Sequence, residues 1–76
     1  MQCIATFDTT HMALRFEKIC RNAGYNVRII PVPRELSSSC GFACSFPCDE
    51  QKTLENLAHE ARVEIAALHE LPDPNI

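Results

Sequence analysis

Apolar residues recur at two different spacings along this chain, and the spacing changes where proline, glycine or capping residues stand. Gln2 to Phe7 is a short apolar run that closes at Asp8-Thr9-Thr10. Those are helix-capping residue types, so a strand followed by a helix start is predicted. Ala13, Phe16, Cys20 and Ala23 then recur every three or four positions, with Arg15, Glu17, Lys18, Arg21 and Asn22 largely between them. This is the pattern of an amphipathic helix, and Gly24 supplies its left-handed stop. Asn26 to Pro31 is rich in branched residues and reads as a second strand. Pro31 and Pro33 end it, because neither can donate to a ladder.

Arg34 to Ser39 is polar and aperiodic, the signature of a loop. From Cys40 to Phe46 the period becomes two, with Cys40, Phe42, Cys44 and Phe46 alternating against Gly41, Ala43 and Ser45, which predicts a third strand. Pro47-Cys48-Asp49 turns the chain, Asp49 is a capping type, and Leu54, Leu57, Ala58 and Ala61 form a second helical stripe. Residues 63–70 fit two patterns: a continuation of that helix to about Leu71, or a fourth strand over Val63 to Leu68. With the strand, the order is βαββαβ, and the fold class is α+β: a ferredoxin-like sandwich with both helices on one face of an antiparallel sheet.

The two stripes and the third strand predict one core containing Phe16, Phe42, Cys44, Leu54, Leu57 and Ala58. Ile4, Ile30 and Leu68 fall on alternate positions of their strands and are expected on the open face of the sheet, where they would favour a homodimer. Residues 1–71 form a single domain in this reading, and 72–76 a tail.

Composition narrows the function classes. A chain of 76 residues supports one core only. Seven basic residues against ten acidic ones lack the cationic surface that a phosphate backbone needs, so nucleic acid is not expected as a partner. Charge is uneven: residues 1–48 hold five basic and three acidic residues, residues 49–76 two basic and seven acidic. No basic region precedes the first apolar run and no apolar stretch approaches the roughly 20 residues of a membrane span, so a cytoplasmic protein without a membrane partner is expected.

Five cysteines, an odd number without a secretory signal, argue against a complete disulfide framework and leave thiol, metal or redox chemistry open. Cys3 alternates with Ala5 and Phe7, and Cys20 lies in the first helical stripe, so both are expected to pack in the core. Cys40, Cys44 and Cys48, four residues apart, would share one side of a helix. In a strand, four residues at ~3.3 Å each separate Cys40 from Cys44 by about 13 Å, too far for a disulfide or a shared ion. No metal and no cofactor is therefore expected.

The run Ile30-Pro31-Val32-Pro33-Arg34-Glu35-Leu36-Ser37-Ser38-Ser39-Cys40-Gly41, with Thr9 to Lys18 and Ala23-Gly24 upstream, resembles the selenium/sulfur carrier-like family. The resemblance implies a final strand over Val63 to Leu68 after a helix that usually closes with glycine, where this chain has Ala61-Arg62. It implies Cys40 as the carrier thiol, with Pro33, Arg34, Ser37, Ser38, Ser39 and Gly41 as its setting.

A carrier thiol must react as thiolate, whereas a free cysteine with a pKa near 8.5 is only a few per cent ionised at neutral pH. Arg34 offers a fixed positive charge, the three serines offer hydroxyl donors, and Gly41 lets backbone N–H groups and an incoming sulfur approach. The implied function is a non-enzymatic carrier that takes sulfur or selenium from a donor protein and passes it to an acceptor. Two alternatives stand beside it: a small interaction or dimerisation module, and a cysteine metal-binding protein.

Overall fold

A computed structural model of the chain describes residues 2–32 and 41–71. Its elements are β1 (Gln2–Thr6), α1 (Thr10–Asn22), β2 (Arg28–Pro31), β3 (Phe42–Pro47), a 3-10 turn (Cys48–Glu50), α2 (Gln51–Glu60) and β4 (Ala67–Leu71). The four strands form one antiparallel sheet in the order β2-β3-β1-β4, the order of the ferredoxin-like sandwich. No helix among the described residues is long and apolar enough to cross a membrane.

Helix α1 starts as its sequence predicts: Thr9 is extended and its hydroxyl accepts from the Met12 N–H at 3.2 Å, satisfying one of the free donors of the first turn. Asp49, by contrast, does not cap α2. The 3-10 turn intervenes and Glu50 occupies the cap position without a side-chain bond.

The two helices end by the same device. At α1, Gly24 has φ 94° and Tyr25 N–H donates to Cys20 C=O at 3.0 Å. At α2, Arg62 has φ 61° and Val63 N–H donates to Ala58 C=O at 2.8 Å. Both are Schellman closures with the residue after the cap left-handed, a conformation that suits glycine and costs a side-chain-bearing residue about 1 kcal/mol or more. Arg15 Nη2 adds a bond to Ala61 C=O at 3.3 Å, taking up another carbonyl at the end of α2. Val63 follows into the core at 4% exposure. The helix therefore stops at Glu60, and the alternative of one helix to Leu71 is excluded in favour of a fourth strand, placed at Ala67–Leu71 rather than Val63 to Leu68.

Strand register decides which residues meet the helices. Cys3, Ala5 and Phe7 of the β1 side, with Cys44 and Phe46 of β3, pack against Ala13, Phe16 and Cys20 of α1 and Leu54 and Ala58 of α2. Phe16 lies at the centre, its ring 5.3 Å from that of Phe7 and 6.1 Å from that of Phe46, both tilted at separations typical of favourable aromatic pairs. Leu57 packs partly buried against this cluster.

Two expected packing positions are corrected. Phe42 is 43% exposed: it opens β3 opposite Pro31, the last residue of the edge strand β2, so its ring sits at the margin of the sheet. Leu68 pairs with Ala5 and therefore points to the helix side, where it packs against the core. The open face instead carries Thr6, Ala43, Ile30 and Ala67, in register with one another, and Ile4 between Ser45 and His69. Ile4, Thr6 and Ala43 are buried within the single chain, which leaves Ile30 and Ala67, half-buried, as its partly accessible aliphatic residues.

Candidate functional site

Of the residues expected to form the carrier site, Gly41 is described; Arg34, Ser37, Ser38, Ser39 and Cys40 lie outside the described residues. Gly41 stands where β3 begins, and its carbonyl accepts from Val32 N–H at 3.2 Å, continuing the β2–β3 pairing by one rung. Its φ is not left-handed, and among the described residues no atom beyond its chain neighbours lies within 4 Å of the place a β-carbon would take. The scaffold described here does not itself require glycine at this position. Space is open beside it.

The other four cysteines are accounted for individually. Cys20 is fully buried on α1. Burial pushes its thiol up to about 11, and the negative charge of Glu50 adds in the same direction. Cys44 is fully buried on β3, where its thiol donates to the Ala13 carbonyl at 3.4 Å. Cys3 and Cys48 are joined in a disulfide, with Cα atoms 5.0 Å apart, inside the usual 4.4–6.8 Å range.

That disulfide corrects the reading of Cys3 as a packing residue alone. Cys3 is indeed fully buried, but β1 and β3 are antiparallel neighbours with Gln2 opposite Pro47, so Cys48, one residue past Pro47, comes beside Cys3. The alternating pattern in β1 marks Cys3 as inward-facing, yet nothing in it sets the register against β3. A single cross-link, rather than a framework, results among the described residues.

The surroundings of the pair are polar on one side. Gln51, the first residue of α2, holds its Oε1 3.3 Å from Cys3 Sγ, the position of an acceptor for a thiol proton. Its Nε2 donates to Glu55 Oε1 at 2.8 Å, which orients the amide with the oxygen toward sulfur. Glu70, opposite Cys3 on β4, brings a carboxylate oxygen to within 4.8 Å of both sulfurs. Three donors this close fit a thiophilic cation only when the sulfurs are reduced, because metals bind thiolates and not a disulfide.

Gly41 and the disulfide beyond Pro47 lie at opposite ends of β3. Six residue steps from Gly41 to Pro47, at ~3.3 Å each, put roughly 20 Å between them. A separate groove of about 580 Å³ runs between α2 and the approach to β4, lined by residues including Glu55, His59, Glu64, Ile65 and Leu68, with no cysteine among its described lining residues.

Fold and cysteines together define a small α+β thiol protein of ferredoxin-like strand order. Residues 2–70 match the family described as "Putative Se/S carrier protein-like", and the chain belongs to that family. No curated protein and no solved structure matches it.

Proposed function

We propose that the chain is a non-enzymatic carrier of sulfane sulfur or selenium, held as a persulfide or perselenide on Cys40 and relayed between a donor and an acceptor protein in the cytoplasm. The observation that supports Cys40 is the state of the other four cysteines. Two are bonded to each other, and two are fully buried on the helix side of the sheet. Carrier chemistry needs an accessible thiolate, and Cys40 is the cysteine these engagements leave. Open space at Gly41, the residue bonded to it, gives a partner sulfur room to approach.

In the loading step the Cys40 thiolate attacks the outer sulfur of a donor persulfide R–S–SH. The donor S–S bond breaks, R–S⁻ leaves with the electron pair, and Cys40–S–SH forms. Unloading is the same displacement by an acceptor nucleophile, so the carrier returns unchanged and no external oxidant is needed. Arg34 and the serines Ser37, Ser38 and Ser39 stabilise the anionic sulfur in both steps. A selenium atom would follow the same path.

The test is intact mass measurement of protein incubated with a small persulfide donor and, separately, with a perselenide donor. Wild type should gain the mass of one sulfur or one selenium atom, removable by a thiol reductant, while Cys40→Ser gains none. Equal loading of Cys40→Ser would overturn the assignment.

A further inference from the structure

We propose that Cys3 and Cys48 form a second thiol centre, a dithiol–disulfide exchange site that is reduced by a partner dithiol and reoxidised, by the reverse exchange with a partner disulfide, without unfolding. The inference rests on the cytoplasmic placement of the carrier reading, because a disulfide in a reducing compartment is rare and usually transient, catalytic or redox-sensing.

Three observations in the structure carry it. The two sulfurs differ in access: Cys3 is fully buried on β1, whereas Cys48 is partly exposed at the start of the 3-10 turn. Attack therefore falls on Cys48 and leaves Cys3 as the departing sulfur. Next, Gln51 aims its Oε1 at Cys3 Sγ from 3.3 Å and is held there by its bond to Glu55. A disulfide sulfur has no proton to give this oxygen, but a reduced Cys3 thiol has one, so the site is built to satisfy the reduced state as well. Finally, Cys48 follows the last residue of β3 directly, so its sulfur moves with the short turn into α2 rather than with the paired strands. Separation of the sulfurs needs no break in the β1–β3 ladder, which ends at the Gln2–Pro47 pair.

The reaction balances as follows. One thiolate of a dithiol R(SH)2 attacks Cys48 Sγ, the Cys3–Cys48 bond breaks, and the Cys3 sulfur leaves as thiolate. It takes a proton from water, and the resulting thiol S–H hydrogen-bonds to Gln51 Oε1. The second thiol of the partner, deprotonated, then attacks the partner's own sulfur in the mixed disulfide and expels Cys48 as thiolate, which is protonated in turn. The protein gains two electrons and two protons; the partner becomes a cyclic or intramolecular disulfide. About 20 Å of strand between this pair and Gly41 makes the centre independent of the carrier thiol's end of the sheet.

The intact folded chain is equilibrated in buffers of graded reduced-to-oxidised dithiothreitol ratio, quenched with an alkylating agent and digested, and the Cys3 and Cys48 peptides are scored by mass. Both peptides should become alkylated together, at one midpoint and reversibly, with the far-ultraviolet circular dichroism of the folded chain unchanged. Gln51→Leu, which removes the acceptor for the reduced thiol, should require a buffer about five-fold more reducing, the ratio equivalent of one hydrogen bond. Cys40→Ser should leave the midpoint in place, so failure of the carrier reading and failure of this one are distinguishable. The proposal is overturned if the bond resists every ratio at which the chain stays folded, if reduction coincides with unfolding, or if the two cysteines titrate independently. An unmoved midpoint in Gln51→Leu overturns the part assigned to Gln51.

Discussion

Reducing the Cys3–Cys48 bond should cost the folded chain about 3 kcal/mol without unfolding it. The cross-link spans 45 residues. On the chain-entropy model a loop of that size removes roughly 13 cal/mol/K from the unfolded state, which is about 4 kcal/mol at 25 °C. Reduction recovers part of this, because the freed Cys3 thiol then donates to Gln51 Oε1, worth about 1 kcal/mol for an ordinary hydrogen bond. A domain of this length has a total stability of roughly 4–11 kcal/mol, so the loss is a large share and still leaves a folded chain through most of that range. The assay is urea unfolding followed by circular dichroism, with and without a phosphine reductant, and again for Cys48→Ser in both conditions. Wild type should lose stability on reduction and Cys48→Ser should show no response to the reductant. Coincident wild-type curves would refute the reasoning. They would mean that the bond does not close in solution, or that the unfolded chain already holds β1 near the end of β3.

Phe16→Ala should destabilise the fold by about 3–5 kcal/mol in the same urea assay, because it empties the centre of the Phe7, Phe16, Phe46 cluster; a loss under about 1 kcal/mol would mean that the core lies elsewhere. Arg62→Gly should stabilise by up to about 1 kcal/mol, since relief of the left-handed φ of 61° exceeds the added entropy of an unfolded glycine, and a destabilised variant would contradict the closure described for α2. Cys20 keeps its proton to about pH 11 in the folded chain but loses it near pH 9 when unfolded, so its contribution is intact below pH 9 and falls away between pH 9 and 11. Cys20→Ala should flatten that part of the stability profile, and an unchanged slope would remove Cys20 from it. Cys40 should alkylate fastest of the five cysteines and Arg34→Ala should slow it; an unaffected rate would take Arg34 out of the carrier site.

Local signals in the sequence were sufficient for helix α1 and both of its ends. The alternation of Ala13, Phe16 and Cys20 with charged residues sets the buried stripe of α1, Thr9 caps it and Gly24 closes it, because each effect acts within one or two helical turns. The first five elements were legible for the same reason, whereas the last strand was implied by the family resemblance carried by the run from Pro31 to Gly41, and the family match over residues 2–70 agrees with that resemblance. The end of α2 was not legible. Arg62 adopts the conformation that glycine would advertise, and the turn there is held by the Val63 N–H bond to Ala58 C=O, the Arg15 bond to Ala61 C=O, the burial of Val63 and the pairing of β4 with β1.

Long-range register was likewise beyond the sequence. A strand pattern of period two says that Cys3, Ala5 and Phe7 share a face, but it does not say which residues of another strand they meet. Tertiary pairing alone set Leu68 beside Ala5, left Phe42 at the sheet margin and brought Cys48 to Cys3 across 45 residues of chain. Side-chain spacing within a segment is a property of the backbone's own geometry, whereas contact between segments depends on how the whole sheet aligns, and that alignment is fixed only when every apolar face is buried at once.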